Sequence, residues 1–152
     1  MKTRMFSVFV NNNFGVLTRI SGLFARRGYN IKSLTVGETP DPSVSRMTIE
    51  CSGDDRTFEQ IESQLNKVED VISVTMLDPS RTVCRELFLI RVRGDAESEV
   101  PGKFDCRVLS KSEDGAVYEL CGSGADLAEF CRLLSPESAP DIARTGITAI
   151  ET

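Results

Sequence analysis

The sequence predicts an α+β protein of two related units, each based on the order strand–helix–strand–strand–helix–strand. Three observations predict this class. Short segments alternate between apolar and polar residues, which is typical of strands with one buried face. Longer segments carry apolar residues at spacings of three and four, which is typical of amphipathic helices. Clusters of glycine, proline and aspartate separate these segments and indicate turns.

The first strand and helix occupy the start of the chain. Met5–Val10 alternates and predicts a strand. One helical face then carries Val16, Leu17, Ile20, Leu23 and Phe24. Three arginines, at positions 19, 26 and 27, fall on the opposite side of this helix or in its last turn, where cations complement the helix dipole. Gly28 predicts a left-handed end to the helix.

The rest of the first half completes one fold. Tyr29–Gly37 predicts a second strand, and residues 38–43 are dense in turn formers. Alternation through Met47, Ile49 and Cys51 predicts the third strand. An aspartate at 54 or 55 is the expected N-cap of a second helix, whose apolar stripe is Phe58, Ile61, Leu65 and Val68. Residues 72–76 form the fourth strand. The order βαββαβ predicts a ferredoxin-like domain with both helices on one face of the sheet.

The second half repeats this pattern incompletely. Leu87–Val92 predicts a strand, residues 104–109 and 116–121 a hairpin, residues 126–134 a helix ended by prolines, and residues 142–150 one last strand. Between the first of these strands and the hairpin, Gly94–Lys103 is too polar and broken for a full helix. We therefore expect a degenerate ferredoxin-like domain, with a boundary near Pro79 that divides the chain into domains 1–79 and 80–152.

Composition narrows the functional classes. The chain is 40% hydrophobic and 27% charged, as in ordinary globular proteins, and has no apolar run near the ~20 residues of a membrane span. The short apolar segment after Met1 predicts a buried strand better than a signal peptide. The net charge of −5 lies wholly after Thr82, which argues against nucleic acid binding. The acidic half either complements a basic partner or is a solvated face.

The five cysteines include no CxxC pair, and the chain has no histidine. Free thiols in a reducing, cytoplasmic compartment are expected. Catalysis by Ser-His-Asp or Cys-His sets is excluded. A lone cysteine nucleophile activated by a lysine or a helix terminus is the remaining enzymatic option. Cys51 and Cys131, however, fall at apolar positions and are expected to act as small core residues.

The polar loop before the first helix is the candidate ligand site. The N–H groups of a helix start near Phe14–Val16 suit a carboxylate, and Gly15 lets a ligand approach the backbone. The amide of Asn12 offers a donor and an acceptor, and Asn30 can accept from an ammonium group. This chemistry suits a free amino acid that is bound and not transformed. The simpler interpretation is an ordinary loop in which Asn13 caps the helix.

The first half also resembles a known family. The segments GVLTRISGLFARRGYNIKSLTV, SRMTIE and FEQIESQLNKVEDVISV are similar, almost without gaps over 6–77, to the ACT domain of the acetolactate synthase (acetohydroxyacid synthase) small subunit. The segments Arg85–Leu87 and Ile142–Gly146 fit that family's C-terminal domain. The resemblance implies a non-catalytic regulatory subunit. Such a subunit binds a large catalytic subunit, raises its activity and confers feedback inhibition by valine, leucine or isoleucine in branched-chain amino acid biosynthesis.

The resemblance also implies cofactors, a pocket and an assembly. Thiamine diphosphate, magnesium and FAD are expected in the large subunit and none in this chain. The implied effector-binding residues are Asn12, Gly15, Val16, Asn30, Ile31 and Gln60. Two ACT domains are expected to pair edge to edge in a homodimer, so that the helix start of one chain faces the second strand of the other.

Two departures from the family pattern bear on this expectation. Phe14 is bulkier than the residue expected there, and is either a harmless exposed side chain or one that narrows the pocket. The segment Gly94–Lys103 replaces a helix of the C-terminal domain. A stand-alone ACT-domain amino acid sensor is the alternative function, and an independent enzyme is a third. The preferred amino acid, the retention of feedback and any assembly beyond a dimer are left open.

Overall fold

The computed structural model describes residues 2–93, 104–134 and 140–152, which form two compact units. The first unit contains the chain up to Val83 together with Ile147–Thr152, and the second contains Cys84–Gly146. The expected division into domains 1–79 and 80–152 stays a prediction. No helix in these three ranges is long and apolar enough to cross a membrane.

The first unit is one antiparallel sheet with two helices. Its elements are β1 (Lys2–Asn11), α1 (Val16–Arg27), β2 (Ile31–Glu38), β3 (Val44–Gly53), α2 (Asp55–Leu65) and β4 (Val71–Met76), followed by a 3₁₀ turn at Pro79–Arg81. The strands lie in the order β2-β3-β1-β4. This is the predicted βαββαβ arrangement, and the expectation of a ferredoxin-like α+β fold is confirmed.

The core of this unit follows from the strand alternation and the helical stripes. Phe6, Val8 and Val10 of β1 are buried on one face of the sheet, where they form one cluster with Ile20 of α1 and Phe58 of α2. The predicted helix ends are also present. Gly28 adopts φ 68° at the end of α1, where its N–H donates to Ala25 and Phe24 carbonyls, and Asp54 caps α2 by accepting from the Thr57 N–H.

The second unit has the same strand order. Its elements are β5 (Thr82–Arg93, which begins in the first unit), β6 (Cys106–Ser112), β7 (Gly115–Gly122), α3 (Gly124–Leu133) and β8 (Asp141–Arg144). The order β6-β7-β5-β8 places second, third, first and fourth strands side by side, as in the first sheet. The predicted replacement of a helix by Gly94–Lys103 lies outside the described residues.

The end of the chain differs from the expectation of one strand over 142–150. Two short strands form instead, β8 and β9 (Thr148–Glu151), because Gly146 between them adopts φ 89° and breaks the extended backbone. The segment 147–152 then belongs to the first unit. β9 pairs with β5, whose residues Thr82 and Val83 lie in that same unit.

The terminal segment 147–152 contacts the helix-free face of the first sheet. The Arg46 Nη2 donates to the Ala149 carbonyl at 2.8 Å, and the Thr35 hydroxyl donates to the Ile147 carbonyl at 2.9 Å. Arg46 is paired with Phe9 and Thr35 with Thr48 in the sheet register, one strand position away from the apolar residues that face the helices. The sheet therefore has helices on one face and this segment on the other.

Candidate functional site

The loop between β1 and α1 is held by backbone hydrogen bonds on two sides. The Asn11 N–H donates to the Asp70 carbonyl at 2.8 Å, and the Asn12 N–H donates to the Ser43 carbonyl at 2.7 Å. These partners lie before β4 and beside β3, so the loop is tied to both neighbours of β1 in the sheet. Gly15 ends the loop with φ 81°, a left-handed conformation that favours glycine.

The start of α1 has no side-chain cap, so the expectation that Asn13 caps this helix is wrong. The Asn13 Nδ2 donates instead to Asp70 Oδ1 at 3.1 Å, because the buried carboxylate lies within reach of the loop. The first intrahelical bond joins the Arg19 N–H to the Gly15 carbonyl at 2.9 Å. The N–H groups of Leu17 and Thr18 precede that bond, so they are open to an acceptor.

The electrostatics of this helix start suit an anion. No acidic residue lies in the first turn of α1 to compete for the positive end of the helix dipole, and the Asp70 carboxylate beside the loop is paired with Arg19. Gly15 is exposed, and Val16 is buried with its side chain in the core. Val16 can therefore contribute only its backbone to a ligand site, whereas Gly15 leaves the approach to the backbone open.

Asn12 points its amide nitrogen into the β2–β3 hairpin. Its Nδ2 donates to Glu38 Oε1 at 3.1 Å and to the Pro42 carbonyl at 3.0 Å. Both amide hydrogens are thereby used, and Oδ1 remains as an acceptor. Asn12 was expected to offer both a donor and an acceptor. In this geometry it offers a ligand only the acceptor, which suits an ammonium group.

The other three predicted site residues lie at the far end of α1. Asn30 is exposed just after the Gly28 cap, and Ile31 opens β2, half-buried against the core. Gln60 of α2 accepts from the Tyr29 hydroxyl at 3.1 Å through its Oε1. α1 has 12 residues, so its two ends are about 18 Å apart. One chain therefore assembles the six residues as two separate groups, farther apart than a single amino acid spans.

Phe14 is fully exposed at the tip of the loop. Within one chain its ring therefore lines no cavity. Of the two alternatives predicted for Phe14, a harmless exposed side chain describes the single chain. Whether its ring narrows a pocket formed with a second chain stays a prediction.

Asp70 and Arg19 lie beside the loop and were not predicted to belong to the site. The Asp70 side chain is only 8% exposed and forms an ion pair with Arg19 Nη1. Arg19 was expected on the side of α1 opposite its apolar face, and its side chain reaches this carboxylate. The partners are 51 residues apart, and no spacing in the sequence relates them. The only local signal is an acidic residue directly before an apolar strand.

The two C-terminal segments singled out by sequence meet in the second unit. Arg144 donates to both oxygens of Glu86, from Nε at 2.8 Å and from Nη2 at 2.7 Å. Glu86 Oε1 also accepts from the Gly146 N–H at 3.2 Å. The Thr145 N–H donates to the Leu87 carbonyl. These contacts join β5 to β8. The two segments therefore have a structural role, because a buried carboxylate requires such partners.

Cys51 is buried in the core of the first unit, and Cys106 and Cys131 pack half-buried against the core of the second. Burial, with a smaller contribution from Glu50, raises the pKa of Cys51 to about 11. Burial likewise raises the pKa of Cys106 and Cys131. These three groups are protonated at neutral pH and are weak nucleophiles. Over the described ranges, no group of three metal-binding side chains comes together.

Comparisons with known proteins cover the whole chain. Residues 6–73 match the family model described as the AHAS small subunit-like ACT domain, and residues 85–152 match that of the small subunit of acetolactate synthase. The probable acetolactate synthase small subunit of Methanothermobacter thermautotrophicus is 42% identical, over 97% of this chain and 92% of that protein. The isozyme 3 small subunit of Escherichia coli is 36% identical, over 97% and 94%.

A solved structure agrees with these sequence relatives. The crystal structure of the acetolactate synthase small subunit from Thermotoga maritima aligns with a TM-score of 0.89 at 38% identity, covering 100% of this chain and 98% of that one. These matches include both units of the fold. They also include the segments of the first half and of the C-terminal part that resemble the family. The chain therefore belongs to the acetolactate synthase small subunit family, the regulatory and not the catalytic subunits of that enzyme.

Proposed function

We propose that this chain binds the large catalytic subunit of acetolactate synthase, raises its activity and confers feedback inhibition by valine, leucine or isoleucine. Thiamine diphosphate, magnesium and FAD belong to the large subunit in this proposal, and this chain holds none of them. We place the complex in the cytoplasm, in branched-chain amino acid biosynthesis. The named relatives support the subunit role, and the loop before α1 supports the effector role.

The open start of α1 is the observation that carries the effector role. The N–H groups of Leu17 and Thr18 and the exposed Gly15 suit the effector's carboxylate. The Oδ1 of Asn12 suits its ammonium group, since the Nδ2 of that residue is already used within the hairpin. An amino acid needs both contacts, and the loop and the helix start that follows it offer one each.

A homodimer completes the pocket. The group formed by Asn30, Ile31 and Gln60 lies a helix length from the loop of its own chain, so a second chain has to supply it. β2 is an edge strand of the first sheet, and edge strands offer unpaired backbone groups to a partner strand. Pairing through β2 would bring the Ile31 end of one chain toward the other chain and give each dimer two equivalent pockets.

Calorimetry with valine, leucine and isoleucine tests this pocket. Asn12→Ala and Asn30→Ala should each weaken binding by the ~1–3 kcal/mol of a lost hydrogen-bond partner. Asn66→Ala is the matched control, because its exposed amide contacts only the Glu62 carbonyl at the end of α2. It should leave the affinity unchanged.

Mixing the two variants tests whether the pocket is shared between chains. In a mixed dimer of Asn12→Ala with Asn30→Ala, one pocket carries both substitutions and the other carries neither. Wild-type affinity should return for half of the sites in each mixed dimer, and the dimers of a single variant should stay weak. If the mixture binds no better than either variant alone, the pocket lies within one chain and the shared-pocket model fails.

Association with the large subunit separates the proposal from its alternative. The chain should co-purify with the thiamine-dependent subunit and raise acetolactate formation, which the added amino acid then lowers. Amino acid binding without that association would make the chain a stand-alone sensor. Acetolactate formation by this chain alone would contradict a non-catalytic role.

A further inference from the structure

Asp70 holds three residues around the start of α1. Its Oδ1 accepts from Asn13 Nδ2 at 3.1 Å, its Oδ2 pairs with Arg19 Nη1, and its carbonyl accepts from the Asn11 N–H at 2.8 Å. With 8% of its side chain exposed, the carboxylate is far more buried than a surface acid. A charge so buried is tolerated only with good partners. The loop and α1 are therefore tied to one fixed anion.

The other anchor of the loop is the β2–β3 hairpin, which holds Asn12 through its backbone and its side chain. The Asn12 side chain is thus held by the hairpin and the Asn13 side chain by Asp70, so the backbone of residues 11–13 has little conformational freedom. Asp70 supplies the whole of the second anchor through Asn11 and Asn13. Removal of its charge would weaken the contacts with Asn13 and Arg19, while the backbone bond to Asn11 and the hairpin side remain.

Arg19 extends the effect of Asp70 to the helix start. Its Nη1 is occupied by the carboxylate, whereas its Nη2 lies 4.0 Å from the position that a Cβ on Gly15 would take. The guanidinium therefore has one edge on Asp70 and another beside the glycine where an effector would approach. A guanidinium is planar and carries five donors, so pairing at one edge sets the direction of the others. Arg19 is 55% exposed and accessible to a ligand.

We propose that Asp70 is a positioning residue for effector binding, which acts by orienting Arg19 toward the carboxylate of the amino acid. This inference rests on the proposed function and adds a charged contact to its pocket. Asn13 completes the arrangement as a second group that Asp70 orients.

The test compares two ligands that differ only at the carboxylate, valine and valinamide. By calorimetry on the full chain, the wild type should prefer valine by roughly tenfold or more, as expected for a charge-assisted contact. Asp70→Asn and Arg19→Gln should each reduce that preference by about fivefold or more. Loosening of the loop alone would weaken both ligands equally and leave the preference intact.

Glu86→Gln is the matched control. Glu86 is 2% exposed and pairs with an arginine that is 51% exposed, so this variant also removes a buried charge beside a half-exposed arginine. It should retain the wild-type preference for valine. Because Arg19 is half-exposed, Arg19→Gln is expected to fold, and it can be tested even if Asp70→Asn does not fold.

The outcomes separate the inference from the function on which it rests. An undiminished preference for valine in both Asp70→Asn and Arg19→Gln would overturn the inference alone, as would a wild type that binds both ligands equally. A wild-type chain that binds none of the three branched-chain amino acids, with the large subunit present, would overturn the proposed feedback role and the inference together.

Discussion

In the described part of each unit a nearly buried carboxylate is paired with a half-exposed arginine. The two pairs have different structural roles. Glu86 and Arg144 join neighbouring strands of one sheet, Glu86 also accepts from the nearby Gly146 N–H, and the Arg144 guanidinium lies over the Phe88 ring. Asp70 instead holds a loop and a helix through Asn13 and Arg19. The same kind of buried ion pair therefore strengthens a sheet in one unit and shapes the proposed ligand site in the other.

The helix starts differ in a related way. Asp54 caps α2, and Ser123 forms a reciprocal capping box with Asp126 at α3. Only α1, among the described helices, begins without a side-chain cap. Satisfied N–H groups favour stability, whereas open ones favour a ligand, so the difference supports the ligand site proposed at α1.

The largest effects are expected from emptying the two cores. Phe58→Ala in the first unit and Phe130→Ala in the second should each cost about 3–5 kcal/mol, since both rings are about 1% exposed and leave cavities. Urea unfolding can be followed by the fluorescence of one tyrosine in each unit, Tyr29 and Tyr118. A cost below about 1 kcal/mol would contradict the assigned packing.

Removal of residues 147–152 should destabilise the first unit selectively. The segment makes three hydrogen bonds with strands of that sheet, from Arg46 and Thr35 and to the Ser33 hydroxyl. At about 1 kcal/mol for each bond, these three contribute about 3 kcal/mol, and the lost pairing of β9 with β5 adds to the effect. Thr35→Val removes one of the three bonds and should cost about 1 kcal/mol. An unchanged Tyr29 unfolding curve for the shortened chain would show that the segment does not stabilise this unit.

Two glycines of α1 provide a smaller and more specific test. Gly15 and Gly28 both have positive φ, so replacement of either by alanine should cost about 1–2 kcal/mol. Nothing lies within 4 Å of a Cβ at Gly28, which makes that variant a control for backbone strain alone. Only Gly15→Ala should also weaken valine binding in calorimetry. Equal affinities of the two variants would argue against a ligand at the start of α1.

The smallest effect concerns the cap of α3 and depends on pH. Ser123→Ala should cost about 1 kcal/mol at pH 7. Hydrogen bonds from the Ser123 side chain and then its backbone lower the pKa of Asp126 below its ordinary 3.8. The ionised carboxylate therefore stabilises the fold above that value, and this contribution is lost as the pH falls through the lower folded pKa.

Thermal unfolding of wild type and Ser123→Ala at pH 7 and near pH 3 measures this dependence. The difference between the two proteins should shrink at the lower pH. A difference that grows on acidification would mean that the capping box does not hold the ionised form of Asp126.

Most of the fold was predictable because its signals are local. The stripe of Phe58, Ile61 and Leu65 identifies α2 by spacing alone, and Gly28 marks the end of α1. The single strand expected over 142–150 was wrong, because the apolar residues there gave no sign of the break at Gly146. A glycine in an alternating segment is compatible with either a strand or a turn, and here the turn returns the chain to the first unit.

The candidate site was predictable in its residue types and not in its partners. Asn12 and Gly15 follow from the polar loop before an amphipathic helix. Asn12 uses its amide nitrogen within the hairpin, and Asn13 binds Asp70 and does not cap the helix. The partners in these contacts are separated by between 26 and 57 positions in the sequence. Such pairings leave no periodic pattern for a single sequence to show.

The kinds and order of the elements follow from the sequence alone, because helix and strand periodicity, caps and turns depend on residues a few positions apart. The extended similarity of the chain to known subunits likewise identifies the family. Which polar groups meet depends on the tertiary fold. The order β2-β3-β1-β4 brings Asp70 beside the loop after β1, where it binds Asn13, and the start of α1 has no side-chain cap. A buried charge must find its partner in space, wherever the sheet places it.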